Sequence, residues 1–326
     1  MRAEITVPGS KSITNRALIL AALADGETVL QGALWSEDTQ IMVECLQELG
    51  FMVNVEPDPN ETCNRTITVY GNGGTVPPGG TEVQPMDLFV GNAGTAARFL
   101  PPFLCLGSGV YRLHGVPRMH ERPQAALFSA LRELGYRIEV EKGNDKLPVK
   151  IFGDGPKKRK CRVSIGESSQ FASALMLSAK RGGWEIEIVG DNAEESPYVA
   201  MTSKLMEAFP EAGGKFQIEP DASSGSYFLG AFFMVPDWQG SCRINDKGQV
   251  ELFTGESEIT LRHNPNTRWQ IDEAFPQVFV SAILEKKPVS RLHDIGDSIM
   301  TAIVLGAKLG KVELNFTDLG RLRVQE

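Results

Sequence analysis

The 326-residue chain is 42% hydrophobic and 23% charged, ordinary fractions for a globular protein, and its length suggests about two domains. Its 33 basic and 41 acidic side chains leave a formal charge of −8. That balance argues against a nucleic-acid partner held by a broad basic field, but not against a local pocket for small anions.

In chain order the sequence alternates two kinds of helix. Residues 14–23 are small and apolar on nearly every face, the pattern of a buried helix, and precede a short strand at 28–30. Residues 44–49 end an amphipathic helix. Gly50 is the natural residue for its left-handed stop, and an alternating strand follows at 51–56. The same cycle returns with a buried helix at 94–106, a strand at 110–113, an amphipathic helix at 127–134, Gly135 and a strand at 136–141. A third, weaker copy runs through 171–179, 184–189, 205–209, Gly213 and 216–219. Two more buried helices are predicted at 227–233 and 298–307, before strands at 241–244 and 311–314. A strand–helix–strand–helix–strand module, used about five times and incomplete at the last, predicts an α/β (α+β) fold. Three modules fit between residues 12 and 219. A breaker-rich linker is expected at 219–226, and exposed loops at 57–60 and 71–80.

Several absences narrow the chemistry. No run approaches the roughly 18 uninterrupted apolar residues of a membrane span, and Met1-Arg2-Ala3-Glu4 has no signal or transit character. The five cysteines, Cys45, Cys63, Cys105, Cys161 and Cys242, form no C-x-x-C pair. The expectation is a reduced cytoplasmic chain. The histidines His114, His120, His263 and His293 form no metal-spaced cluster, so neither metal nor cofactor is expected. The Asn-x-Ser/Thr triplets at Asn60, Asn64 and Asn315 are then chance matches.

The motifs that remain suit anions. Pro8-Gly9-Ser10-Lys11-Ser12 meets the start of a helix, a place that favours negative charge. Arg16 lies one turn on, on the same face as Ser12. By itself this segment reads equally as an anion site or as a capped helix with a solvated lysine. Gly91-Asn92-Ala93-Gly94-Thr95-Ala96-Ala97-Arg98 is a second anion candidate: its glycines allow close backbone approach, and Thr95 could cap the next helix, although a lone Gly-rich turn is ordinary. Arg118-Met119-His120-Glu121-Arg122-Pro123 sets two arginines around a helix start, as two-point binding of carboxylate or phosphate would require, or as a charged helix end would show anyway. Ser168-Ser169-Gln170 puts three polar side chains ahead of an apolar helix, more than one cap needs. Asp297 precedes the last buried helix and Glu326 is the final residue. Either is a base only if a proton must move nearby.

Together these segments, with Pro197-Tyr198, Asp221-Ala222-Ser223-Ser224-x-Ser226-Tyr227 and Asp297-Ser298, resemble the 5-enolpyruvylshikimate-3-phosphate synthase family in order and spacing, from residue 5 to the C-terminus. The resemblance implies a shikimate-pathway transferase that moves the enolpyruvyl group of phosphoenolpyruvate to the 5-hydroxyl of shikimate 3-phosphate and releases phosphate. It implies two domains of repeated units with helices buried inside sheets. One would be complete, at 12–219. The other would be discontinuous and incomplete, made of 1–11 and 220–326, with the active site in the cleft between them.

Residue by residue, it implies that Lys11, Ser12, Arg16, Ser168, Ser169, Gln170, Tyr198 and Asp297 bind shikimate 3-phosphate. Lys11, Asn92, Gly94, Thr95, Arg122 and Gln170 would line the phosphoenolpyruvate side, where glyphosate would compete. Asp297, Glu326 and Lys11 would do the catalytic work, Asp297 taking the proton of the attacking hydroxyl. Gln325 stands where the family has lysine, and Glu195 or Ser196 where it has serine. The family also continues past residue 326 with two arginines and a lysine. A further segment or a second chain is therefore expected, and a fragment or non-catalytic remnant that binds shikimate 3-phosphate without turnover is the alternative. A sister transferase acting on UDP-N-acetylglucosamine fits less well, because Ser12 follows Lys11 where that family has asparagine, and no cysteine lies near 118–122.

Overall fold

The computed structural model describes residues 2–59, 61–190, 196–234, 241–244, 250–254, 257–261, 267–309 and 313–319. The chain forms two compact units, Met1–Ser10 with Glu219–Glu326, and Lys11–Ile218. The first unit opens with β1 (Arg2–Ile5).

The Lys11–Ile218 unit contains α1 (Lys11–Leu23), β2 (Glu27–Leu34), α2 (Glu37–Glu48), β3 (Val53–Pro57) and β4 (Asn64–Tyr70), then β5 (Met86–Phe89), α3 (Gly94–Cys105), β6 (Ser108–His114), α4 (Ala125–Glu133), β7 (Ile138–Val140) and β8 (Val149–Asp154). It ends with β9 (Lys160–Ser164), α5 (Gln170–Gly182), β10 (Glu185–Val189), α6 (Pro197–Ala208) and β11 (Gly214–Gln217). The repeats are visible as sheets. One sheet has the order β5-β6-β8-β7, with β5 parallel to β6 and the rest antiparallel. The sheet β11-β2-β4-β3 has the same plan, but its parallel strand comes from the far end of the unit, with Gly214 opposite Thr28. β9 and β10 form a separate parallel pair.

The inner helices α1, α3 and α5 each lie on the sheet of their own repeat and against one another. Every residue of α3 is buried, and α1 buries ten of its thirteen. The three helix stops expected at glycine all take left-handed φ: +94° at Gly50, +87° at Gly135 and +86° at Gly213. α3 carries Pro101 and Pro102 in its interior. Proline donates no N–H, so the carbonyl four residues earlier loses its helical partner. The fully buried Gln124 side chain repairs one such loss, donating from Nε2 to the Ala97 carbonyl at 3.4 Å.

The other unit continues with α7 (Ala222–Phe233), the meander β12 (Ser241–Ile244), β13 (Val250–Thr254) and β14 (Ser257–Leu261), α8 (Phe275–Glu285), β15 (Val289–Ser290), α9 (Ile299–Leu309) and β16 (Phe316–Thr317). β1 adds in parallel to β14, and β15 pairs in parallel with β16. Its core gathers Val7, Leu229, Phe275, Phe279, Ile295, Ile299 and Leu305, with the Phe275 and Phe279 rings stacked 5.7 Å apart.

Three expectations meet the structure in this unit. The linker at 219–226 is in part helix: Asp221 Oδ1 accepts the Ser224 N–H at 2.7 Å, and the run of small polar residues becomes the first turn of α7. Neither α7 nor α9 is buried all round, because they pack on one another along one side only, where Ser226 Oγ and Thr301 Oγ1 lie 2.7 Å apart. Tyr227, Phe228, Met300 and Val304 are exposed. The strand expected at 311–314 falls in part outside the described residues, and the described strand that follows is β16. Lys311 and Val312 lie outside the described residues, Leu314 packs against the core, and pairing begins where Val289 N–H donates to the Asn315 carbonyl at 2.8 Å.

Candidate functional site

Lys11, Gly94 and Gln170 are the first residues of the three inner helices α1, α3 and α5. Side chains tie these ends together. Arg98, in the second turn of α3, donates from Nη1 to Gln170 Oε1 at 2.8 Å. Arg16, in the second turn of α1, donates to Ser173 of α5 and Thr202 of α6. Three helix N-termini therefore gather in one region, where their N–H groups and dipoles favour an anion. The ends of α3 and α5 carry no side-chain cap. Thr95, which the sequence offered as a cap, is instead the buried second residue of α3, behind Ala93 at the cap position. Ser169 sits at the cap position of α5 without capping, while Ser168 Oγ accepts the Gln170 N–H at 3.2 Å.

Arg122 lies over the start of α3, its Nη1 donating to the Asn92 carbonyl at 3.4 Å. A methyl on Gly94 would stand 2.5 Å from that Nη1 and 2.9 Å from Cζ. Only glycine lets the guanidinium rest on the backbone there. Burial lowers the Arg122 pKa, Asp38 opposes the shift and Arg118 adds to it. Asp38 also faces Lys11 Nζ at 4.0 Å, so one exposed-side carboxylate stands near both cations. Arg118 itself is exposed and paired with Glu121 at 2.6 Å.

Arg16 is only 2% exposed. It donates from Nε to Thr202 Oγ1 at 2.8 Å, from Nη1 to the Ser12 carbonyl at 2.8 Å and from Nη2 to Ser173 Oγ at 3.1 Å, and its Cζ lies 5.2 Å over the Phe99 ring. Burial pushes its pKa down to about 10, with Tyr198 opposing. The Tyr198 carbonyl accepts from Thr202 Oγ1 at 2.7 Å. Ser12, Ser168, Ser169, Gln170 and Tyr198 are all half-buried, at the heads of α1, α5 and α6. The structure thus brings Lys11, Ser12, Arg16, Asn92, Gly94, Thr95, Arg122, Ser168, Ser169, Gln170 and Tyr198 onto neighbouring ends of one helix group.

Arg98 closes the Gly91–Arg98 segment read as an anion candidate, but the sequence assigned it no role of its own. It is 5% exposed on a helix buried throughout. Burial pushes its pKa down to about 10, the charge of Arg122 pushes the same way and Glu167 opposes. A lone cation on an otherwise apolar helix was the available signal, since such groups are almost never buried without a partner.

In the other unit, Asp297 lies in a tight turn, Gly296–Ser298, just before α9. Arg291 Nη2 donates to its Oδ1 at 2.7 Å. The carboxylate that serves the turn before the helix is Asp272: its Oδ1 accepts from Ser298 N at 2.7 Å and Ser298 Oγ at 2.8 Å. Burial pushes the Asp272 pKa up to about 7, Ser298 opposes this, and Asp297 and Asp221 add to it. Gly296 leaves room for this carboxyl, since a Cβ there would meet Asp272 Oδ2 at 2.6 Å. Asp272 carries no local sequence signal, because it matters through Ser298, 26 residues on. Glu326, Gln325 and Glu195 lie outside the described residues, and the Ser196 hydroxyl heads α6 without capping it.

Among the described residues no cluster of metal-ligating side chains occurs, and no helix is long and apolar enough to cross a membrane.

Comparison with known proteins places this geometry. Residues 1–212 match the model of a family described as EPSP synthase (3-phosphoshikimate 1-carboxyvinyltransferase). A 3-phosphoshikimate 1-carboxyvinyltransferase from Trichormus variabilis is 39% identical over 263 residues, covering 74% of this chain and 58% of that protein. One from Sulfurovum is 42% identical over 249 residues, covering 70% of this chain and 56% of its own length. The chain thus spans under two thirds of the length of these relatives. The EPSP synthase structure from Acinetobacter baumannii superposes with a TM-score of 0.62 at 19% identity, over 86% of this chain and 71% of that one, which establishes the shared fold.

Proposed function

Because the chain belongs to the EPSP synthase (3-phosphoshikimate 1-carboxyvinyltransferase) family, we propose that it transfers the enolpyruvyl group of phosphoenolpyruvate to the 5-hydroxyl of shikimate 3-phosphate, in the cytoplasm. The observation that carries this reading is the gathering of three inner-helix N-termini with Lys11, Arg98 and Arg122 around Gly94 and Gln170. Both substrates carry a phosphate and a carboxylate. Preorganised donors that need not reorient during the reaction are the main way a protein stabilises such charge.

In this reading Arg122, resting on Gly94, and Lys11 hold phosphoenolpyruvate with Asn92 and Thr95. Ser12, Ser168, Ser169 and Tyr198 take shikimate 3-phosphate, and Gln170 serves both. Arg16 is held by protein groups on three sides, so its part is to fix the heads of α1, α5 and α6 and to add positive charge behind the ligand. Asp297, oriented by Arg291, accepts the proton of the 5-hydroxyl as its oxygen bonds to C2 of phosphoenolpyruvate. A proton added at C3 gives an adduct at C2, and loss of that proton with departure of phosphate restores the double bond. Glu326 is the carboxylate proposed for the proton at C3.

Titration calorimetry with shikimate 3-phosphate, followed by a phosphate-release assay with both substrates, tests the proposal. Binding of shikimate 3-phosphate is the expected result, and phosphate release with both substrates shows that these 326 residues carry the catalytic groups. Absence of binding overturns it, and binding with no release confines the chain to a binding role.

A further inference from the structure

We propose that Arg98 is a positioning residue that fixes the side-chain amide of Gln170, so that its NH₂ group and not its oxygen is presented to the anionic ligand. The inference rests on the function proposed above. A guanidinium has only donors. The group of Gln170 lying 2.8 Å from Arg98 Nη1 must therefore be the carbonyl oxygen. With its acceptor end taken, the amide has only its donor end left. Among the described residues Gln170 Nε2 donates to no protein group, and the side chain is half-buried at the first position of α5.

Arg98 is itself held in place. Its Nη1 also donates to the Gly94 carbonyl at 3.4 Å, one turn back on α3, and its Cζ lies 5.7 Å over the Phe171 ring. Its Nε is buried and has no hydrogen-bond partner among the described residues. The choice of a neutral amide as its neighbour has a consequence. A glutamate at position 170 would neutralise Arg98 and offer oxygen to the incoming anion. Glutamine keeps the local field positive and turns a donor outward. Gly94, Arg98 and Gln170 thereby form a chain from the turn beneath Arg122 to the head of α5, and phosphoenolpyruvate and shikimate 3-phosphate would both meet its outer end.

The test is a double-mutant cycle read by calorimetry with shikimate 3-phosphate and with phosphoenolpyruvate, alongside thermal melting. Arg98→Met and Gln170→Ala should each weaken binding roughly 10–100-fold, the range for a hydrogen bond to a charged group. The double variant should bind within about threefold of Gln170→Ala, because nothing is left to orient. Arg98→Lys keeps a donor toward Oε1 and should recover most of the affinity. If Arg98→Met does not fold, Gln170→Glu decides the matter: it should bind more weakly than Gln170→Ala while melting higher, through a new pair with Arg98. Additive losses in the cycle, or wild-type affinity in Gln170→Glu, overturn this inference and leave the proposed function standing. A wild-type chain that binds neither ligand overturns both.

Discussion

The two units differ in the buried charged groups whose pKa burial shifts: arginines in one, carboxyls in the other, where the buried Arg291 is paired with Asp297. The Lys11–Ile218 unit buries Arg16 and Arg98 and half-buries Arg122, and burial lowers all three pKa values. The other unit buries Asp272 and Glu219, and burial raises both. The physical cause is the same: a medium poor in water disfavours the charged form. The outcome differs. Arginines lowered to about 10 remain cationic at neutral pH, whereas an aspartate raised to about 7 is half protonated there. One unit therefore offers fixed positive charge, suited to holding anions. The other offers a buried carboxyl, Asp272, whose pKa is raised to about 7 by burial and to which the charges of Asp297 and Asp221 add. The units differ in packing too. α3 is covered on all sides, while α9 leaves Met300 and Val304 in solvent.

The largest effect should come from removing a cation. Arg122→Ala should weaken phosphoenolpyruvate by on the order of 2–5 kcal/mol, far more than shikimate 3-phosphate, as calorimetry would read. Equal losses for both ligands would break the assignment of that side of the site. Gly94→Ala pushes a methyl into the same guanidinium and should weaken both phosphoenolpyruvate and inhibition by glyphosate. Unchanged inhibition would place the pocket elsewhere.

The acidic unit makes a matching prediction in pH. The folded-state pKa of Asp272 is raised from 3.8 to about 7. The stability this group contributes is therefore full below about pH 4 and is lost as pH rises to about 7. A three-unit shift corresponds to up to about 4 kcal/mol. Asn at position 272 keeps an acceptor for Ser298 but cannot ionise, so Asp272→Asn should flatten that part of the profile in urea titrations between pH 4 and 7.5. A profile as steep as wild type would show that Asp272 is not its source.

Smaller effects separate the helices. Gln124→Leu should cost about 1–3 kcal/mol, because it strands the Ala97 carbonyl that Pro101 has already deprived of a partner. Val304→Lys, on a side chain 63% exposed, should change stability by no more than about 0.5 kcal/mol. Melting temperatures would check both, and a large loss at Val304 would show that α9 is covered in solution.

Much of the local architecture was legible in the chain. An inner helix is apolar on every face because it meets protein on every side, and residues 94–106 announce this even across two prolines. Gly50, Gly135 and Gly213 announce helix ends because few other residues take a positive φ cheaply. The anion-binding segments are contiguous runs at helix starts, so their residue types and spacing could be read together. α7 and α9 share the composition of the inner helices, yet among the described residues Tyr227, Phe228, Met300 and Val304 stay exposed, as apolar residues whose covering layers are not among their neighbours.

What the tertiary structure decided are the pairings between distant residues. No local pattern makes β11 the partner of β2, which lies some 190 residues earlier, with Gly214 opposite Thr28. None sets Arg98 against Gln170, Asp272 against Ser298, or Arg122 on the backbone at Gly94. Backbone conformation follows from short-range sterics and periodicity, which the sequence states outright. The charge state and orientation of a side chain follow from what lies within a few ångströms of it, and only the folded chain brings those groups together.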